Sequence, residues 1–384
     1  MSQFAFETAP KIICEQGGAD RLGEIARSLG VSRLFLVTDA GLIKAKLIDG
    51  ALASLAAAGV TTTVFSDVLA DPPETSVQAA VDAARAAGVD GVVGFGGGSS
   101  LDTAKLVALL VRTPQALPEI YGIGLARGPR LPLIQVPTTA GTGSEVTPIS
   151  ILTTPSHEKK GVVSPLLYPD VALLDSRLTL GLPPAVTAMT GVDAMVHAIE
   201  AFTTRLKKNP LSDALAIKAL QLLYANLLPA VNDGKDATVR ENMLVGSLFA
   251  GMAFANAPVA AVHALAYPLG GHYHLPHGLT NSLVLGPVLE FNLPATEVLY
   301  AELGRAILPE LVSAGDREAA VVFIAAIRER VAAMPYSQSL RESGVKQEDL
   351  SMLATDVMKI QRLLVNNPRD MSYDEALAIY QAAF

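Results

Sequence analysis

The chain has 384 residues, of which 50% are hydrophobic and 17% are charged, and its formal net charge is -8 at pH 7. This length exceeds the size at which one hydrophobic core usually stops growing, so we expect two well-buried domains. The acidic balance provides no basic patch for nucleic acid or anionic lipid, so we expect small-molecule partners and neither a nucleic-acid nor a membrane partner.

The first residues, MSQFAFETAPKIICEQGG, contain no basic stretch followed by an apolar one. No segment has the roughly 18 consecutive apolar residues that a membrane span requires, so we expect a cytoplasmic protein. The single cysteine, Cys14, excludes an intrachain disulfide, and the apolar run around it predicts that its thiol is buried.

Short β-branched runs alternate with Ala-rich stretches in the first part of the chain. Strands are predicted in RLFLVTD, TTTVFSD, GVVGFGGG, LPLIQVPTT and VALLDS, and helices in residues 42–58, 76–87 and 102–111. Alternation of this kind is typical of βαβ units with a parallel sheet. Residues 1–180 are therefore predicted to form one α/β domain.

The pattern changes after LTLGLPP, where Gly181 and the Pro183-Pro184 pair mark the predicted domain boundary. Beyond it, stretches such as AVTAMTGVDAMVHAIEAFTT and LSDALAIKALQLLYANL repeat their apolar residues with the 3.6-residue period of a helix. Strand signals are almost absent there. Residues 181–384 are therefore predicted to form an all-α domain.

A glycine-rich loop follows one predicted strand, in VVGFGGGSSLDTAK. Gly97, Gly98 and Ser99 would let the backbone approach a pyrophosphate, and a helix opened by Ser100 or Asp102 would favour an anion at its N-terminus. The loop is not the G-x-G-x-x-G fingerprint, because a serine stands where the third glycine belongs, and it is not a Walker A loop. A purely structural turn is the alternative interpretation.

A second polar loop, VPTTAGTGSEVT, brings the hydroxyls of Thr138, Thr139 and Thr142 to the end of the next strand, where they could bond phosphate or ribose oxygens. Ligands bind beyond the carboxyl ends of parallel strands, so two such loops favour a nucleotide site. Asp39 ends another strand and could accept from a ribose 2′-hydroxyl while repelling a 2′-phosphate, which indicates NAD. Helix capping is the alternative role for these residues.

Acidic and imidazole side chains suggest a metal site in the helical half. Asp193 and His197 are spaced i, i+4 on one predicted helix, so both emerge from the same face. Four of the six histidines lie between 263 and 277; His263 is on an apolar helix, and His277 begins the next element after a break at Pro268 and Gly270-Gly271. One carboxylate and three imidazoles suit Fe(II), Zn(II) or a similar ion, whereas core histidines and an intrahelical hydrogen bond are the alternative.

Several motifs in order give the chain a resemblance to the iron-containing (group III) alcohol dehydrogenase family. They are TDAGL, GFGGGSSLDTAK, PTTAGTGSEVT, VSPLLYPDVALLDSRLTLGLPP, TGVDAMVHAIEAF, GMAFANAPVAAVHALAYPLGG, LPHG, LRESGV and RLLVNNPR. The resemblance covers essentially the whole chain. It implies a dehydroquinate synthase-like architecture, with an N-terminal dinucleotide-binding α/β domain, a C-terminal all-α domain and an active site in the cleft between them. A homodimer or larger homo-oligomer is expected.

The resemblance also implies roles for individual residues. The implied metal ligands, with Fe(II) expected and Zn(II) as the alternative ion, are Asp193, His197, His263 and His277. The implied NAD contacts are Asp39, Gly97, Gly98, Ser99, Thr138, Thr139, Thr142 and Lys159. Ile149 and Phe254 would face the substrate, and with Val259 they would form a small apolar pocket suited to a short primary alcohol or aldehyde.

One position departs from the family pattern. Many members carry a histidine four residues after the one at 263, often assigned to proton relay, and this chain has Tyr267 there. A phenol is the poorer base at neutral pH. The relay is therefore expected to run through Tyr267, through His272 or through water, or to use no side chain at all.

The predicted reaction is hydride transfer between NAD(H) and a small alcohol or aldehyde whose oxygen is polarised by the metal. Within the superfamily the alternatives are a maleylacetate reductase, which characteristically lacks the aspartate found here at 193, and a hydroxyacid-oxoacid transhydrogenase. Outside it, the same residues could serve an NAD-using metal-dependent lyase or a non-catalytic nucleotide-binding protein with a structural metal.

Overall fold

The computed structural model describes residues 3–155 and 158–384. It divides into two compact units, which we call the sheet unit, Thr8–Gly181, and the helical unit, Leu182–Phe384 with the described residues up to Glu7. The N-terminal segment belongs to the helical unit because the amide of Glu7 donates to Oδ1 of Asn256 at 2.8 Å and Nδ2 of Asn256 donates back to the Glu7 carbonyl at 2.8 Å.

The sheet unit is built on a parallel sheet. Its strands, with those of a smaller sheet, are β1 Ile12–Cys14, β2 Arg33–Val37, β3 Thr61–Phe65, β4 Gly91–Gly96, β5 Gly122–Ile123, β6 Leu133–Pro137, β7 Ile149–Thr153, β8 Lys159–Val163 and β9 Val171–Leu174. The main sheet has the order β1-β9-β6-β4-β2-β3 with every pairing parallel, as predicted. The second sheet, β5-β8-β7, was not predicted.

Burial follows position in the main sheet. The central strands β4, β6 and β9 are buried along their whole length, which explains their nearly uninterrupted apolar sequences. The edge strand β1 is largely exposed, and Cys14 at its end is exposed too. The prediction of a buried Cys14 is therefore wrong, because an apolar run on an edge strand keeps one side open to solvent.

The helices of the sheet unit are α1 Leu22–Ser28, α2 Ala40–Lys44, α3 Asp49–Ala57, α4 Glu74–Ala87, α5 Gly98–Leu110 and α6 Leu117–Ile120. The helix predicted over residues 42–58 is in fact two helices. Lys46 has a left-handed φ of 58° between them, and this turn redirects the chain so that Ile48 is buried. The helix predicted from residue 102 begins earlier, at Gly98; its N-cap is Gly97 and no side chain caps it.

The described part of the helical unit contains helices and no strands. They are α7 Pro184–Thr203, α8 Pro210–Asn232, α9 Ala237–Asn256, α10 Ala261–Tyr273, α11 His277–Ile307, α12 Asp316–Ala332, α13 Leu350–Val357, α14 Gln361–Leu364 and α15 Tyr373–Ala383. The predicted break at Pro268 is wrong, since α10 continues to Tyr273. Tyr380 on α15 donates to the Leu265 carbonyl at 2.6 Å, which supports α10 next to the proline.

Helix α8 is long and apolar enough to cross a membrane by length and composition, and α9 with α10 would pass the same test but for a bend of 103°. In the fold, α8 packs against α7 and α9 and buries Leu220, Leu223 and Leu227. These contacts make α8 part of the packed helical unit.

Candidate functional site

Three histidines surround one carboxylate oxygen in the helical unit. The Nε2 atoms of His277, His197 and His263 lie 3.6, 3.9 and 3.9 Å from Oδ1 of Asp193. The ligand atoms of Asp193, His263 and His277 all lie within 4.8 Å of one another, and the ring of His197 stacks on that of His263 with centroids 4.8 Å apart. The structure therefore brings three of the four predicted ligands into one compact group, Asp193, His263 and His277, and His197 adjoins it through its contacts with Asp193 and His263.

Close packing of helices produces this cluster. Asp193 and His197 lie one turn apart on α7, and α10 and α11 each contribute one histidine. Gly278 follows His277 directly, and a Cβ there would lie 2.2 Å from the Met189 carbonyl of α7. Only glycine allows α11 to begin so close to α7, and this contact delivers His277 to Asp193.

The cluster suits a divalent cation. Ligand atoms around a tetrahedral ion are about 3.4 Å apart at the usual bond length of about 2.1 Å, close to the separations found here. Burial alone would raise the pKa of Asp193, but the imidazoles of His197, His277 and His263 hold it below its ordinary value, so the carboxylate is ionised. His277 is the exposed member of the cluster, with 37% of its side chain accessible, so the site opens on that side.

Asn281 adds a polar group that the sequence analysis missed. Its fully buried Nδ2 donates to Oδ1 of Asp193 at 2.6 Å and lies 3.4 and 3.3 Å from Nε2 of His263 and His277. Its Oδ1 is buried without a partner among the described residues. A positively polarised group among these three ligand atoms is further evidence that they suit a cation. The available signal was spacing, because Asn281 stands four residues after His277 on α11.

Glu200 is a second residue that the sequence analysis did not assign. It is buried one turn beyond His197 on α7, and its Oε2 lies 2.6 Å from Nδ1 of His263. The same carboxylate accepts from the amides of Ala260 at 3.0 Å and Val262 at 2.7 Å, at the start of α10. A carboxylate at Nδ1 favours the tautomer that leaves the Nε2 lone pair free, so Glu200 orients His263 as a ligand.

Replacing Glu200 with Gln should weaken binding of a divalent ion about 10- to 100-fold, since an amide cannot accept all three of these hydrogen bonds. Calorimetric titration of metal-free protein with Zn(II) measures the effect. Glu302→Gln, an exposed change on α11, is the matched control and should leave the affinity unaltered. Equal affinities for the parent and Glu200→Gln would show that Glu200 only packs the two helices.

The other predicted residues of the helical unit lie at different places. Phe254 stacks on His197 with ring centroids 4.3 Å apart, and Val259 is buried.

The two residues predicted for the proton relay lie at different distances from the histidine cluster. The ring of Tyr267 is tilted against that of His277, with centroids 6.2 Å apart. His272 is exposed, pairs with Asp356 at 2.7 Å and lies about 14 Å beyond His263 along α10. Tyr267 is thus the relay candidate next to the histidine cluster.

The two loops that the sequence predicts to bind a nucleotide, the glycine-rich loop after β4 and the polar loop after β6, meet at the carboxyl end of the main sheet. A Cβ on Gly98 would lie 2.8 Å from Cγ2 of Thr142, and one on Gly97 would lie 3.6 Å from Thr139. Thr138 follows β6 directly and is buried, and Ser99 is in the first turn of α5. Because no side chain caps α5, its first amides can face an anion held between the loops.

Asp39 and Lys159 are both engaged in local contacts. Oδ1 of Asp39 caps α2 by accepting from the amides of Gly41 at 2.8 Å and Leu42 at 3.1 Å. The capping role considered from the sequence is therefore present, and it leaves Oδ2 of Asp39 without a hydrogen bond among the described residues. Lys159 on β8 pairs with Asp71 at 2.6 Å.

A buried ionic cluster lies behind the two loops. Lys105 on α5 is fully buried, and its Nζ donates to Oγ of Ser144 at 2.8 Å, Oγ1 of Thr147 at 3.1 Å and the carbonyl of Ile149 at 2.6 Å. Its counter-ion is Asp102, 3.5 Å away, which also accepts from Ser144 at 2.6 Å. Lys105 therefore ties the helix of the glycine-rich loop to the second loop and to β7, which begins at the predicted pocket residue Ile149.

Glu145, beside this cluster, should make stability depend on pH. Burial raises its pKa to about 7, from an ordinary value of 4.5. Between these values the folded chain retains a proton that the unfolded chain loses, so the free energy of unfolding should fall by up to about 3 kcal/mol as pH rises from 4.5 to 7, and then level off. Urea unfolding across this range measures the fall.

Glu145→Gln should lose this fall because it cannot ionise, and Glu310→Gln, an exposed change, should retain it. A pH profile in Glu145→Gln that matches the parent would contradict the assignment of the slope to Glu145.

Comparisons with known proteins give a consistent result. Residues 9–176 match the family model described as iron-containing alcohol dehydrogenase, and residues 187–384 match that of the Fe-containing alcohol dehydrogenase family, C-terminal. The chain is 41% identical to the probable alcohol dehydrogenase EutG of Salmonella typhimurium, over 98% of this chain and 94% of the relative.

Solved structures agree with the family models. A 1,3-propanediol oxidoreductase has a TM-score of 0.96 with 35% identity, and 100% of each chain is covered. Sulfoacetaldehyde reductase from Bifidobacterium kashiwanohense, solved in complex with NAD+, has a TM-score of 0.89 with 29% identity, covering 100% of this chain and 99% of that one.

Proposed function

Because the chain belongs to the iron-containing alcohol dehydrogenase family, we propose that its helical unit holds Fe(II) through Asp193, His197, His263 and His277 while its sheet unit binds NAD. The family makes the chain an NAD- and metal-dependent oxidoreductase of alcohols or aldehydes. The observation that carries the ligand assignment is the set of three Nε2 atoms at 3.6 to 3.9 Å from one oxygen of Asp193.

Each neighbouring side chain has a role in this proposal. When bound, the ion supplies Lewis acidity toward the substrate oxygen, and the nicotinamide donates or accepts the hydride. Glu200 keeps the Nε2 lone pair of His263 available, and Asn281 orients the carboxylate of Asp193. Phe254 covers one face of His197 and limits the access of water to it. Tyr267, beside the exposed His277, is the group we assign to holding and passing the proton.

Nucleotide binding is assigned to the two loops of the sheet unit. Gly97, Gly98 and Ser99 would bind the pyrophosphate through backbone amides, and Thr138, Thr139 and Thr142 would add their hydroxyls. Asp39 would bind the ribose through Oδ2, which does not cap α2. Lys159 would leave its ion pair with Asp71 and contact the coenzyme instead. The close approach of Gly98 to Thr142 supports this shared site.

The substrate is proposed to be a short primary alcohol or its aldehyde, and in the helical unit Phe254 and Val259 are proposed to contact its apolar part. Ile149 of the sheet unit stays a predicted substrate contact. A short aldehyde with an anionic group is a second class to test, because the guanidinium of Arg362 lies 5.5 Å from the ring centre of Tyr267. We also propose a cytoplasmic location. The chain is further proposed to form a homodimer or a larger assembly, and the mass of the purified protein from light scattering would test this.

Metal reconstitution tests the proposed function. Protein stripped of metal and reloaded under anaerobic conditions with Fe(II), or separately with Zn(II), is assayed for NADH oxidation with short neutral and sulfonated aldehydes. Turnover restored by Fe(II) supports the proposal and identifies the working ion. The same turnover in stripped and reloaded protein would contradict it.

A further inference from the structure

Two aspartates lie opposite each other just beyond the carboxyl ends of β2 and β3. Asp39 follows β2, Asp67 follows β3, and the two residues form an isolated antiparallel bridge. Residues directly opposite in such a bridge have Cβ atoms about 4.5 to 5.5 Å apart on the same face. Asp67 also lines a cavity of about 480 Å³ together with Ala40, Phe65 and Ser76.

Neither carboxylate is neutralised by a neighbour. Oδ1 of Asp39 is used to cap α2, and Oδ2 has no hydrogen bond among the described residues. Asp67 is exposed, and within 3–155 and 158–384 its carboxylate has no ion pair; its hydrogen bond to Ser76 uses the backbone carbonyl. Two carboxylates without an ion pair among the described residues therefore lie on neighbouring segments, and one of them, that of Asp67, lines the cavity.

We propose that Asp67 is a second coenzyme-specificity residue, which acts with Asp39 to exclude the 2′-phosphate of NADP. The inference rests on the proposed function, in which the adenosine ribose of NAD lies at Asp39. A ribose 2′-hydroxyl can donate to Oδ2 of Asp39, so Asp67 is not required for NAD to bind. A 2′-phosphate at the same point would be repelled by both carboxylates, and each repulsion at roughly 7 Å in solvent corresponds to about a 5- to 10-fold loss of affinity.

Asparagine variants, which remove the charge but keep nearly the same shape, test whether both aspartates repel the 2′-phosphate. Dissociation constants for NADH and NADPH are measured by nicotinamide fluorescence on the metal-loaded protein without aldehyde, for Asp39→Asn, Asp67→Asn and the double variant. Asparagine still caps α2, so the fold around residue 39 is retained. Asp67→Asn should bind NADPH about 5- to 10-fold more tightly than the parent and NADH within 2-fold of it, and the double variant should gain further.

Two controls separate repulsion from general effects. Asp82→Asn also removes one negative charge, but Asp82 lies about 12 Å along α4 from the start of that helix, so NADPH affinity should not change. The gain in Asp67→Asn should shrink in 1 M NaCl, where the Debye length is about 3 Å.

An unchanged NADPH affinity in Asp67→Asn, with full gain from Asp39→Asn alone, would overturn the proposal. So would a gain that is equal in Asp82→Asn. Failure of the parent to bind NADH at all would overturn the proposed function and this inference with it, and the parent titration makes that outcome distinguishable from the others.

Discussion

Asp193→Asn is expected to lose its divalent ion and, with it, metal-dependent turnover. The carboxylate is the only anion among the four proposed ligands, and its Oδ1 is the atom around which the three imidazole nitrogens are arranged. Removing one partner of a buried ionic cluster costs about 3–5 kcal/mol, which corresponds to a fall in metal affinity of roughly 150- to 5,000-fold. Metal analysis after anaerobic loading and gel filtration measures the loss.

The change leaves the sheet unit untouched, so Asp193→Asn should still bind NADH. Asp370→Asn is the control, because its carboxylate is 88% exposed and pairs with Arg205 at the surface. One tightly bound ion per chain in Asp193→Asn, with parent affinity, would contradict the ligand assignment.

Lys105→Met is expected to destabilise the chain by about 3–5 kcal/mol. The fully buried ammonium has three hydrogen-bond acceptors and one carboxylate partner, and methionine satisfies none of them. Burial lowers the pKa of Lys105, which shows the desolvation that these contacts must offset. The free energy of unfolding in urea measures the change.

Two further variants test the reason for this effect. Adding Asp102→Asn to Lys105→Met removes the charge left behind and should restore part of the stability. Lys359→Met breaks an ion pair whose lysine is 71% exposed, and should cost no more than about 1 kcal/mol. A Lys105→Met variant as stable as the parent would mean that the buried pair contributes nothing to holding the two loops.

Features set by local spacing were the ones that the sequence predicted well. Continuous apolar runs predicted the parallel strands β2, β4, β6 and β9 of the main sheet. The i, i+4 spacing on α7 placed Asp193 and His197 on a common face. The edge strand β1 and the small β5-β8-β7 sheet were missed, because β1 has only three residues and β8 begins with two lysines and a glycine.

Features that depend on contacts between distant segments were not predictable. Glu200 accepts hydrogen bonds from amides at the start of α10, some 60 residues later in the chain. No pattern in the sequence predicts that contact. Lysine is rarely buried, so its residue type alone gave no reason to place Lys105 in the interior. The ends of α10 and the turn at Lys46 likewise follow from tertiary packing, which overrides proline and glycine signals in one case and continuous helical periodicity in the other.

Deuterium labelling follows the hydride from the nicotinamide to the substrate. Iron-loaded protein is incubated with an aldehyde from the panel and with NADH deuterated at nicotinamide C4 on one face or the other, and the alcohol is analysed by mass spectrometry. We expect one of the two labels to appear quantitatively on the carbinol carbon, and Asp193→Asn to abolish the transfer. An alcohol without deuterium from either label, or one that exchanges it with water, would contradict direct hydride transfer by this chain.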